Sequence, residues 1–180
     1  SSVDFTRFNS NSICKGALQK FELNDELVMK FRAVFHGITR HCYMRQIQDG
    51  RVMRGSSVAL ALLHASRHGL EMCDSPGLHD WESIVDTLKI HDRERQRLSV
   101  LKNFWGNWPR IFKFFRDQDE QYERDRVFIV TSFLDAHNYA HGILARYLGE
   151  KGFVDSPEEQ LIIRESTLLM RDAKKFLDEI

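Results

Sequence analysis

The residues of this sequence best suited to chemistry are four histidines in two pairs, His137 with His141 and His64 with His68, each pair at i and i+4. On a helix that spacing puts both imidazoles on one face, where neutral rings could share a metal ion, and two such pairs facing each other would complete a site. Neither pair carries the glutamate of an HExxH zinc helix, and the Glu-x-x-His pattern of di-iron bundles is missing. The other reading places His137 and His141 on an apolar stripe as hydrogen-bonded core residues and His64 and His68 at a helix border. We therefore expect no metal and no cofactor, with a metal-binding bundle or enzyme using His64, His68, His137 and His141 as the alternative.

A second candidate is KNFWGNWPRIFKFFR, residues 102–116, which interleaves aromatic rings with Lys102, Arg110, Lys113 and Arg116. Stacking surface beside positive charge suits single-stranded nucleic acid. Exposed Trp and Arg suit a protein partner at least as well, because those types concentrate binding energy at interfaces. Trp105, Trp108, Arg110, Lys113 and Arg116, with Arg124 and Arg126 further on, are thus the expected partner contacts, and nucleic acid through 102–116 is the second alternative. Other catalytic patterns are weak. Gly149-Glu150-Lys151-Gly152 lacks the strand context and spacing of a phosphate loop. His79-Asp80 and His91-Asp92 read as helix starts, and nothing marks one Ser or Cys as an activated nucleophile. No catalytic residue is predicted, so an enzyme here would have a site assembled only in space.

These residues must be positioned by helices. The longest uninterrupted pattern is 124–148, where Val127, Val130, Leu134, His137, His141, Leu144 and Leu148 recur at steps of three or four, flanked by Phe133, Ala136, Ala140 and Tyr147. This predicts a buried central helix, closed by Gly149 and Gly152. Residues 1–22 show no clear periodicity and are read as an irregular segment. From Asn24-Asp25 a long amphipathic helix runs through Leu27, Phe31, Val34, Phe35, Ile38 and Cys42 to Gly50. A second starts at Ser56 or Ser57 and ends before Ser75-Pro76-Gly77. A third is capped by Asp80 and turns Trp81, Ile84, Val85 and Leu88 inward; a fourth opens at Asp92; Asn107 caps a short aromatic helix with Pro109 in its first turn. RDQDEQYERDR is then either a solvated connection or the exposed start of the central helix. Ser156-Pro157-Glu158-Glu159 is a capping box opening the last helix. No stretch alternates every second residue and no repeat is present, so the expected fold is all-α: a single-domain helical bundle of about six to eight helices over 23–180.

Length and composition agree. A chain of 180 residues with 42% apolar content, 29% charged content and 13 Phe is one ordinary globular domain. Lys plus Arg equals Asp plus Glu at 26 each, so the whole-molecule field favours neither nucleic acid nor an anionic membrane. Cys14, Cys42 and Cys73 are odd in number and far apart, which fits a reducing compartment better than a disulfide framework. With no apolar span and no signal-like start, a cytoplasmic or nuclear setting and no membrane insertion are expected. The abrupt ends suit a domain of a longer protein.

Arg124-Asp125-Arg126-Val127-Phe128 resembles the Arg-x-Arg-small-aromatic signature that opens a helix of RUN domains. His68-Gly69-Leu70, Asp80-Trp81 with Ile84, Val85 and Leu88, and Leu161-Ile162-Ile163-Arg164-Glu165 are similar to the flanking blocks of that family, over about residues 55–180. The sequence departs from the family where Glu123 replaces a glycine, where Asp125 separates the arginines, and in a long connection from 89 to 123. A local similarity to Bcl-2 proteins, in Asp25–Phe31 and Asn107-Trp108-Pro109-Arg110-Ile111, lacks the wholly apolar helix that should follow. The RUN resemblance implies a non-enzymatic protein-interaction module of adaptor or effector type, with a small GTPase as the expected partner class.

Overall fold

The computed structural model describes residues 23–90, 93, 109–150 and 156–179, of which 109–119 and 150 by backbone only. All regular structure in them is helical: α1 (Asp25–Gln48), α2 (Ser57–Glu71), α3 (80–90), α4 (Pro109–Glu150) and α5 (Pro157–Asp178). The expected all-α class holds. Five helices stand among the described residues rather than six to eight, and one reason is physical. Nothing in RDQDEQYERDR forbids helix, and its charges of both signs fall three or four apart, as in Arg124 with Glu120 and Arg126 with Glu123, each 3.6 Å away. The aromatic segment from Pro109 and the central helix are therefore one 42-residue helix, which runs through Gly149 to Glu150. The segment 1–22, the Asp92 helix and the Asn107 cap lie outside the described residues.

The ends of the helices follow their local chemistry. Asn24 accepts from the Leu27 amide at 3.1 Å, Ser56 from Ala59 at 3.2 Å and Ser156 from Glu159 at 3.1 Å, each satisfying an amide the first turn leaves open. Pro157 opens α5 as expected. Gly50, with φ 74°, supplies the left-handed residue after α1, and the Arg51 and Val52 amides fold back onto the Gln46 carbonyl.

α1 packs on α2, α4 and α5, and α4 also packs on α2 and α5. The apolar interior falls into two clusters. One gathers Tyr43, Ile47, Leu62, Trp81, Ile84, Val130, Phe133 and Met170; the other gathers Val28, Phe31, Phe35, Leu144, Leu148 and Ile162. Low-numbered α1 residues thus meet high-numbered α4 residues, so the two helices run antiparallel. Between the clusters, near the middle of α1 and α5 and about two thirds of the way along α4, lies a layer of buried polar residues: His36, Thr39, His137 and Ser166, with Asp80 at the start of α3.

The apolar stripes are rotated from the expected ones. In α1 the buried line is Val28, Phe31, Arg32, Phe35, His36, Thr39, Tyr43, Gln46 and Ile47, whereas Leu27, Val34, Ile38 and Cys42 are half-buried. In α4 it is Ile129, Val130, Ser132, Phe133, Ala136, His137, Ala140, Leu144 and Leu148, whereas Val127 and Tyr147 are exposed and Leu134 is half-buried. Both helices are packed on more than one side, so the most enclosed line lies between two neighbours and takes in polar residues.

Candidate functional site

The polar layer is one continuous hydrogen-bonded chain. Asp80, expected only as a helix cap, stands in the first turn of α3 with its Oδ1 accepting from the Trp81 amide at 3.1 Å and its Oδ2 2.8 Å from His137 Nε2. On the other side of that ring, His137 Nδ1 lies 2.8 Å from Ser166 Oγ, and the same hydroxyl is 2.8 Å from His141 Nε2. Asp80, His137 and Ser166 are wholly buried, while His141 is half-buried. Three helices are joined by three side-chain bonds.

Their partners assign the tautomers. A carboxylate only accepts, so neutral His137 carries its proton on Nε2 and presents Nδ1 as an acceptor. Ser166 then donates to His137 Nδ1, and its oxygen accepts from His141 Nε2–H. The chain reads His141 to Ser166 to His137 to Asp80, every link with one donor.

His36 of α1 borders this chain. Its Nδ1 is 3.7 Å from Asp80 Oδ2, too far for a hydrogen bond, and neither ring nitrogen finds a partner among the described residues. Burial, the largest influence, holds its pKa below the ordinary value, partly offset by Asp80. The ring lies against Gly69, where any Cβ would come within 3.0 Å of it. Burial raises the Asp80 carboxyl, but the charge and hydrogen bond of His137, with His36, more than reverse this and leave it below the usual carboxylate value. Burial also lowers His141, and His137 adds to that. The His137 ring is packed at 4.0 Å from Phe133 and 5.1 Å from Phe35.

An Asp–His–Ser chain invites comparison with serine hydrolases, and the geometry argues against that chemistry. Hydrolase histidines take the carboxylate on Nδ1 and the serine on Nε2, the reverse of this arrangement. Ser166 lies mid-way along α5, where the neighbouring amides are committed to the helix, so no donor pair is free to hold an oxyanion. Its hydroxyl is also sealed from solvent.

The two histidine pairs go to different partners. His137 and His141 converge on Ser166, whereas exposed His64 meets Ser83 Oγ at 3.1 Å and half-buried His68 is not part of the chain. Both nitrogens of His137 are occupied by hydrogen bonds, and among the described residues no group of three or more His, Cys, Asp or Glu could hold a metal ion. No described helix is long and apolar enough to cross a membrane.

Of the expected partner contacts, Trp105 and Trp108 lie outside the described residues, and Arg110, Lys113 and Arg116 are placed on the first turns of α4 by backbone alone. Arg124 and Arg126 part company. The Arg124 side chain is 62% exposed, whereas Arg126 is 17% exposed and its guanidinium lies 4.9 Å from the Phe176 ring and 5.5 Å from Tyr122. Neither sits at a helix end, since α4 begins at Pro109.

The sequence marks Asp80 only as a helix start, and nothing in it marks Ser166, His36 or Arg32. Arg32, His36, Thr39 and Tyr43 do recur at three- and four-residue steps, a polar line through an otherwise apolar helix. No known family, curated protein or solved structure matches the chain.

Proposed function

We propose that this domain is a non-enzymatic helical module that works by binding another protein. The observation that supports it most is a face of α4 that exposes Arg124, Val127 and Phe128 at three- and four-residue spacing, with Leu60 of α2 exposed as well. Ser57 donates to Asp125 Oδ2 at 2.6 Å, which fixes the two helices side by side. One turn further along each, Leu60 is 63% and Phe128 52% exposed, with exposed Arg124 and Val127 on the same part of α4. Clustered exposed apolar residues beside arginine suit a protein contact. The sealing of the Asp80–His137–Ser166 chain favours this reading over an enzyme. Arg126, stacked on Phe176, holds α4 to α5 in support of the face rather than as a contact.

The partner class implied by the RUN resemblance, a small GTPase in its triphosphate state, is one arm of the test. Recovery of partners from cell extract and binding of purified GTPases are measured for the wild type, for Arg124→Glu with Phe128→Ser, and for Leu60→Ser. Exposed positions of this kind change stability by about 0.5 kcal/mol or less, so the melting temperature stays close to the wild-type value. Partner recovery is expected to fall in both variants. Unaltered recovery refutes the face, and recovery of nucleic acid in place of protein favours the aromatic-basic stretch 102–116.

A further inference from the structure

Asp80 carries a charge into a layer shut off from solvent, and its hydrogen-bonded chain leads outward through Ser166 to the half-buried His141. We propose that Asp80, His137, Ser166 and His141 form an internal binding site for one proton, which enters at His141 and is held on His137. The site goes beyond protein binding and would give the domain a built-in response to pH.

The chain can be polarised in either direction without losing a bond. Empty, His141 Nε2–H donates to Ser166 Oγ, Ser166 O–H donates to His137 Nδ1, and His137 Nε2–H donates to Asp80. A proton from water binds His141 Nδ1; the Nε2 proton of His141 passes to Ser166 Oγ as the Ser166 proton passes to His137 Nδ1. The loaded chain then reads in reverse. His137 is an imidazolium donating to both Asp80 and Ser166, Ser166 donates to His141 Nε2, and His141 is left neutral with its proton on Nδ1. One proton has been gained, every bond is kept, and the buried carboxylate faces a full positive charge 2.8 Å away. A buried charge is costly until paired, so the loaded state removes a cost that the empty state carries.

The groups facing the site direct the proton to His137. α1 contributes His36, whose charged form burial disfavours and which lacks a hydrogen bond to Asp80, and Arg32, whose charge is paired with Glu165 of α5. Tyr43 of α1 is held as a neutral phenol by burial and by Asp80. Before α3, His79 is engaged with Glu82 at 3.1 Å. α2 presents Gly69 to the His36 ring. On α4, His141 lies at the rim of the layer, where burial disfavours its charged form, so a proton arriving there moves inward to the ring that faces Asp80.

The sharp consequence is that loading His137 must switch the tautomer of His141. Nitrogen-15 and carbon-13 NMR of the histidine rings in the full chain, scanned from about pH 8 to 5, reads both events. The expected result is that His137 gains its second ring proton while, in the same step, His141 passes from Nε2–H to Nδ1–H. In Ser166→Ala the two rings uncouple: His141 keeps one tautomer whatever happens at His137. The wild-type titration decides the matter even where that variant fails to fold. A His137 ring with the same number of protons throughout, a His141 ring that keeps its tautomer while His137 titrates, or rings that stay coupled in Ser166→Ala would each overturn the proposal.

Discussion

His36 is a residue whose environment sets the sign of a pH effect. Its pKa in the folded chain lies below the ordinary value, chiefly through burial, so the unfolded chain binds the proton more readily. Stability from this group is present above the unfolded value of about 6.5 and is lost as pH falls below it. Half-buried His141 acts with the same sign. Urea midpoints of the wild type and His36→Gln are expected to diverge between pH 7 and 5, the variant losing less on acidification. Parallel curves would mean that His36 binds its proton equally well in the folded and unfolded chain. At this scale the sequence was only partly legible. The i, i+4 spacing of His137 and His141 correctly put both on one helix face, but Asp80 and Ser166 are 57 and 29 residues from His137, and nothing local marks residues so distant as its partners.

For the helices, periodicity located the elements and misjudged their faces. α2 begins at its Ser56 cap, α5 at its capping box and α1 at Asn24, because capping is decided by a few adjacent residues. The burial of α4 depends on how α1, α2 and α5 divide its surface, which no single-helix pattern contains. That difference is measurable. Phe133 is fully buried between Trp81 and His137, whereas Leu134 is only half-buried against the first apolar cluster. Phe133→Ala is expected to cost about 3–5 kcal/mol by chemical denaturation, and Leu134→Ala clearly less. The reverse order would place the core on the stripe through Val127 and Leu134.

At the scale of the whole molecule, α1 and α5 are clamped by charge as well as by apolar contact. Arg32 donates through Nε to Glu165 Oε2 at 3.1 Å and through Nη2 to Glu165 Oε1 at 2.5 Å, while Nη1 reaches the Ser75 carbonyl at 2.8 Å. Both side chains are at least 85% buried, so removing one leaves the other poorly solvated. Arg32→Ala is expected to destabilise by about 3–5 kcal/mol, and Arg32→Met with Glu165→Leu by much less, because no charge is then stranded. Equal losses would show that the guanidinium matters through its packing rather than its charge. Asn24 adds a link nearby, its amide donating to Glu158 Oε1 at 3.2 Å.

The polar layer between the two apolar clusters also acts as an index mark for assembly. Apolar surfaces alone would let α4 slide along α1 by one turn, about 5.4 Å, and still bury hydrocarbon on both sides. A slip in one direction would bring Phe133 opposite Asp80 and leave the carboxylate among apolar groups, while in the other His141 would take the place of His137 and Ala145 that of His141, leaving Ser166 with one imidazole in place of two. Near-native traps are thereby priced out, and the long helix has one seating that satisfies its neighbours.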